Sequence, residues 1–193
     1  MYGIGIMQGR LSPPMGDKIQ AFPLETWREE FAIASDCGFQ MIEWVFDDIE
    51  ISKNPVFSEK GRAEICQLIK KFNVTVPYIC CDYFMTWPLQ SEDLSVRTKS
   101  REVLVELITI SGEIGIKYIE LPMIGKAGLE EKQNAQIILE LLDDISALLE
   151  KHNIYIVLEV SLKPEEVLQF INQVSSDMIQ INYDTGNSAY WGY

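Results

Sequence analysis

Two carboxylates stand where apolar runs end. Glu159 lies in IYIVLEVSL with apolar residues on both sides, where an unpaired charge is costly to desolvate and requires a cation or a proton. Asp184 closes the next apolar run, in INYDTG. On neighbouring strands the two would lie close enough to share a divalent metal. Spacing alone leaves a second reading open, in which Arg, Lys or backbone donors at the strand ends satisfy each acid. Further polar residues fall at equivalent places: Gln8 and Arg10 after the first apolar run, Glu43 within the second, Asp82 after the third and Glu120 at the fourth.

Such positions matter only if the strands deliver them to one place. Six β-rich runs recur, at Tyr2 to Met7, Met41 to Phe46, Val74 to Cys81, Lys117 to Leu121, Ile154 to Val160 and Met178 to Tyr183. Between them lie five stripes at helical spacing, for example Trp27, Phe31 and Ala34, or Ile138, Leu141, Leu142, Ile145 and Leu149. Gly38, Asn73, Gly115 and Asn153 sit where left-handed residues end helices, and Pro164 with Glu165 and Glu166 reads as a first helical turn. Alternating βα units imply a parallel sheet covered by helices, either doubly wound or a TIM barrel. GIGIMQGRLSPP lacks the third glycine of a dinucleotide fingerprint, which favours the barrel. In a barrel the strand C-termini share one mouth. The fold expected is α/β, an incomplete TIM barrel of about six parallel strands with five intervening helices, forming one partial domain over residues 1–193.

GIMQGRLSPP and YDTGNSAYWGY resemble the first-strand and sixth-strand segments of the sugar phosphate isomerase/epimerase family, the xylose isomerase-like TIM barrels, in its hexulose-phosphate isomerase-like members. GFQMIEW and IELP are similar to the second and fourth strands. The resemblance implies a site made of a glutamate ending the fifth strand, an aspartate ending the sixth, a histidine from the seventh and a glutamate from the eighth. Glu159 and Asp184 match the first two. Glu165 matches an acid six residues beyond the glutamate that handles substrate hydroxyls, and Asn187 stands where many members place a substrate-binding histidine. Gln8, Arg10 and Glu43, from their positions at the strand ends and not from the resemblance, are further expected substrate contacts. The implied chemistry is proton transfer beside a carbonyl, with Glu159 as catalytic acid or base and a divalent metal (Mn, Mg, Zn or Co), held by Glu159 and Asp184, stabilising an enediolate.

A complete barrel runs to about 250 residues, so roughly 60 to 90 residues and the last two βα units are expected to be missing. The metal would then be weakly bound or absent and the isomerase or epimerase inactive by itself. The alternative is a noncatalytic remnant or interaction protein that keeps the fold. Open edges on the first and sixth strands suggest a homo-oligomer that covers them.

A net charge of −13 without a basic stretch disfavours nucleic acid as a partner, leaving a small-molecule sugar or sugar phosphate. No run is apolar and long enough for a membrane span or a leader, so a cytoplasmic protein is expected. Cys37, Cys66, Cys80 and Cys81 read as buried thiols. His152, in EKHNI, belongs to a helix end at the wrong end of the barrel for metal. Lys126 in IGKAGLEEK, ahead of the fourth helix, is a phosphate candidate, though a flexible loop explains it equally well, and Arg10 just beyond the first strand is a similar candidate. Trp44, Phe46, Tyr83, Phe84 and Trp87 either stack on a sugar or pack loops.

Overall fold

Six parallel strands form one sheet in chain order: β1 (Gly5–Met7), β2 (Met41–Val45), β3 (Thr75–Cys80), β4 (Tyr118–Met123), β5 (Tyr155–Val160) and β6 (Ile179–Asn182). The computed structural model describes residues 3–16, 18 and 20–192, without the side chains of Lys126 and Trp191. Tyr2, at the start of the expected first strand, lies outside the described residues. A doubly wound sheet reverses its strand order at a switch point, whereas an unbroken sequential order is that of a barrel. The sheet is not closed: among the described residues β1 pairs only with β2, and β6 only with β5.

Five helices make the crossovers: α1 (Trp27–Asp36), α2 (Glu59–Phe72), α4 (Leu94–Ser111), α5 (Lys132–His152) and α6 (Pro164–Ile171). Two shorter helices were not expected, α3 (Tyr83–Thr86) just after β3 and α7 (Thr185–Trp191) just after β6. The sequence of α7, TGNSAYW, carries no apolar stripe. Its start comes instead from Asp184, whose side chain caps the Asn187 N–H, and its end from Gly192 at φ 81°. The four residues expected to end helices all adopt positive φ: Gly38, Asn73, Gly115 and Asn153. Pro164 opens α6, where its missing N–H costs nothing. No helix among the described residues is long and apolar enough to cross a membrane.

The period of two divides each strand between two environments. Ile42, Trp44, Ile79, Ile119, Leu121, Ile156 and Leu158 are wholly buried and join helix residues such as Phe31, Ile65, Leu104, Leu107 and Leu149 in one core. The alternate residues face the concave side. There Tyr78, Tyr118 and Tyr155 are register partners on β3, β4 and β5, and their rings stack at 4.7 and 5.5 Å. A register shift between β2 and β3 takes three residues of β3 against two of β2, so that Glu43 pairs with Tyr78. The extra residue falls beside Pro77, which has no N–H to lend a ladder.

Two side-chain expectations are corrected. Cys37, which caps the end of α1, is exposed and Cys66 is half-buried; only Cys80 and Cys81 lie in the core, and all four thiols are free. Trp44, Phe46, Tyr83 and Phe84 are core residues and not sugar platforms, with Phe46 stacked on Tyr83 at 5.0 Å; Trp87 alone of the five is exposed. Burial of a ring on the helix-facing side wins because each contributes a large apolar area.

Gly61 presses α2 against the short turn at Pro55–Phe57, and an added Cβ there would overlap the Pro55 carbonyl oxygen. Gly112, at the end of α4, has open space around it and an ordinary helical φ of −62°. Gly61→Ala is expected to lose about 1–3 kcal/mol, from overpacking against backbone. Gly112→Ala should gain up to about 1 kcal/mol by restricting the unfolded chain. Chemical denaturation of both variants beside the parent checks the opposite signs.

Candidate functional site

The strand register carries the acids to one end of the concave face. Cys80 pairs with Glu120, Pro122 with Glu159, and Glu159 with Asn182, so alternate residues of β3 to β6 converge near their C-terminal ends. A cavity of about 810 Å³ opens there. Glu43, Asp82, Glu120, Glu159, Asp184 and Asn187 line it together with Asp47 and Asp48, and Lys18 is the one cationic residue among the described lining residues.

Glu159 and Asp184 meet through Asn187. Its backbone N–H donates to Asp184 Oδ1 at 2.7 Å, and its side-chain amide donates to Glu159 Oε1. Neither acid is ion-paired with a basic residue among the described residues. Deeper in the sheet, Asn182 Nδ2 donates to Glu120 Oε2 at 3.1 Å, and Gln20 Nε2 donates to Asp82 Oδ2 at 2.6 Å. Asp47 holds the loop carrying Gln20 by accepting the Phe22 N–H at 2.9 Å.

Carboxylates packed this closely and this far from water cannot all ionise near neutrality. Burial, followed by the charges of Glu43 and Glu159, pushes the Glu120 carboxyl up to about 8. A protonated Glu120 is within hydrogen-bonding reach of Glu43 and Glu159, which limits the rise at both. Glu43 is still raised, by burial and by the charges of Glu159 and Asp82. Glu159 is raised by burial, with the Asn187 amide working against it and the Asp184 charge adding to it. Burial likewise raises Asp82, and the Gln20 amide opposes the rise.

Of the residues singled out in the sequence, Glu43, Asp82, Glu120, Glu159, Asp184 and Asn187 come together at this cavity. Three do not join them. Gln8 is 1% exposed and spent on β2: its Oε1 accepts the Val45 N–H at 3.1 Å and its N–H donates to the Glu43 carbonyl, with the amide nitrogen buried and unpartnered. Arg10 is exposed and lines a separate cavity in the loop after β1. Glu165 is exposed in the first turn of α6, away from the cavity lining. The six-residue offset from Glu159 therefore matches in the chain and not in space, because Glu165 begins a helix that runs over the sheet's outer side. Lys126, as a side chain, lies outside what is described. Asn182, Gln20 and Lys18 belong to the cavity and were missed. Asn182 had a signal, since it stands two residues before Asp184 on the same face of β6; Gln20 and Lys18 lie in a loop without periodicity.

The donor set suits a hard divalent cation in kind, since Glu159 and Asp184 both offer carboxylate oxygens to the same cavity. It is short in number: among the described residues no three His, Cys, Asp or Glu side chains surround a common centre.

The chain belongs to the xylose isomerase-like TIM barrel family, whose model matches residues 31–193. It is 28% identical over 110 residues to an L-ribulose-5-phosphate 3-epimerase of Salmonella heidelberg (strain SL476), a match covering 56% of this chain and 39% of that protein. Its fold is similar to D-psicose 3-epimerase from Clostridium cellulolyticum H10, solved with D-tagatose, at a TM-score of 0.75 and 14% identity over 97% of this chain and 65% of that one. It is also similar to a xylose isomerase-like protein from Mycobacterium smegmatis, solved in complex with magnesium, at a TM-score of 0.68 and 16% identity, covering 96% and 65%. The match thus spans about two-fifths of the length of that relative.

Glu120 keeps its proton to about pH 8 when folded and loses it near the ordinary 4.5 when unfolded. Between those values the unfolded chain binds fewer protons, so stability falls as pH rises through the window. In chelator-containing buffer the melting temperature should drop by several degrees from pH 5 to pH 8.5, at about 2–4 °C per kcal/mol for a chain of this size. Glu120→Gln should flatten that slope, and parallel melting series of the two proteins measure it.

Proposed function

We propose that this chain carries the proton-transfer site of a sugar or sugar-phosphate epimerase or isomerase. The observation that supports it is Glu159: a desolvated carboxylate at a strand C-terminus, aimed by the Asn187 amide, next to Asp184 and open to a cavity large enough for a sugar. A carboxylate whose affinity for protons is raised is suited to take one from carbon beside a carbonyl. The bonding electrons move toward the carbonyl oxygen and leave an enediolate. Returning a proton to the same carbon from the opposite face inverts it, an epimerisation; returning it to the neighbouring carbon isomerises. Glu43, with protonated Glu120 beside it, lies on the cavity wall to meet sugar hydroxyls, and Asn187 orients the base. When bound, a divalent cation between Glu159 and Asp184 would supply positive charge for the developing oxyanion.

With two protein donors such a cation is held weakly, on the order of 0.1 to 1 mM. Manganese at 5 mM is therefore expected to raise the melting temperature of the parent by a few degrees at most, and not that of Asp184→Asn. Catalysis, rather than a remnant fold, is the reading the raised, oriented glutamate favours. Its test is L-ribulose 5-phosphate incubated in D2O with manganese and followed by proton NMR. Deuterium should enter beside the carbonyl at least 100-fold faster with the parent chain than with Glu159→Gln at equal folding. Exchange at the buffer rate in both contradicts the reading. We also propose, as expected from the sequence, that residues 1–193 form one partial barrel domain and that its open edges self-associate.

A further inference from the structure

The cavity after β1 is unlike the acidic mouth it adjoins. It measures about 360 Å³, is walled by Pro13, Pro14 and Pro23, and among its described lining residues the charged ones are Arg10 and Lys18, with no carboxylate. Lys18 lines both cavities and so marks where they join. The chain has five arginines. Arg28, Arg62 and Arg101 are ion-paired and Arg97 donates to the Ser91 carbonyl, whereas the Arg10 side chain has no partner among the described residues. In a protein of net charge −13, an arginine at a cavity with no acidic partner among the described residues is conspicuous.

Its position is also fixed from behind. Glu30 of α1, 1% exposed, accepts the Gly9 N–H at 2.9 Å and the Leu11 N–H at 3.2 Å, the residues on either side of Arg10. Ser12 accepts from Thr26 at 2.8 Å. Gly9 takes φ 87° with its Cα against the Ala21 carbonyl, so that a Cβ would overlap that oxygen. The buried acid thus spends its charge on the loop backbone and leaves the guanidinium free, held on a preformed turn.

We infer that this cavity holds the phosphate monoester of a phosphorylated ketose, with Arg10 and Lys18 as its ligands and the sugar carbons reaching into the acidic mouth. The inference rests on the proposed function and adds the residues that hold the phosphate and the direction in which the sugar enters. A phosphate monoester carries about −1.5 to −2 at neutral pH and is repelled by the carboxylates around Glu159. It therefore enters with that end at the cationic cavity, which also sets which end of the sugar meets Glu159. A forked guanidinium suits phosphate oxygens, and Lys18 supplies a second point charge.

Calorimetric titration with L-ribulose 5-phosphate and with unphosphorylated L-ribulose tests it, using the whole chain and the exposed-site variants Arg10→Ala and Lys18→Ala. The preference for the phosphorylated sugar should fall at least 10-fold in Arg10→Ala and about 3-fold or more in Lys18→Ala, and inorganic phosphate should compete with the phosphorylated sugar. An unchanged preference in Arg10→Ala overturns the inference. If neither sugar binds, the proposed function fails and inorganic phosphate decides alone: amide shifts at Gly9 to Ser12 that vanish in Arg10→Ala support the anion site, and their absence in the parent overturns it.

Discussion

Negative charge confined to a desolvated mouth is the constraint from which the rest of this structure follows. The C-terminal ends of the strands bring Glu43, Glu120 and Glu159 onto one concave face, and the loops add Asp82 and Asp184. Burial raises the cost of charge on Glu43, Glu120, Glu159 and Asp82, and among the described lining residues only Lys18 offers opposite charge. Each must be relieved separately, by a proton on Glu120, by the amides of Asn182, Asn187 and Gln20, or by a ligand. Amides recur because they donate without adding charge, and so leave affinity for a cation or a substrate proton intact.

Paired carboxylates without an ion pair are a poor way to stabilise a fold. Desolvating them costs free energy that no salt bridge among the described residues returns. The core bears that cost: the opposite side of each strand is wholly apolar, and α1, α2, α4 and α5 cover it. The division between a stabilising outer face and a reactive inner face is the period of two acting on six strands at once. The bulge beside Pro77 keeps β3 in phase, so Tyr78 and Cys80 remain on the interior with Glu43 and Glu120.

Much of this was legible in the chain. Strand positions followed from β-rich runs, helix ends from Gly38, Asn73, Gly115 and Asn153, and the Glu159 and Asp184 pair from its placement at consecutive strand ends. What was not legible was either loop geometry or the facing of a side chain. Asn187 was expected to touch substrate, yet its amide goes to Glu159, because Asp184 caps a seven-residue helix that no apolar stripe announced. Glu165 has the right offset but starts a helix pointing away. Arg10 follows the first strand in sequence, yet Glu30, twenty residues on, holds its loop over a different cavity. Contacts of that range leave no pattern in a local window of sequence.

Membership of the xylose isomerase-like TIM barrel family agrees with this arrangement without dictating its details. The direct measurement is a carbon-13 NMR titration of glutamate side-chain carboxyls in metal-free buffer. The account predicts one carboxyl titrating near 8 that disappears in Glu120→Gln, with smaller displacements of Glu43 and Glu159 in the same variant. Titration of every glutamate near its ordinary value of 4.5 would mean that the acids are solvated and apart, and would contradict it.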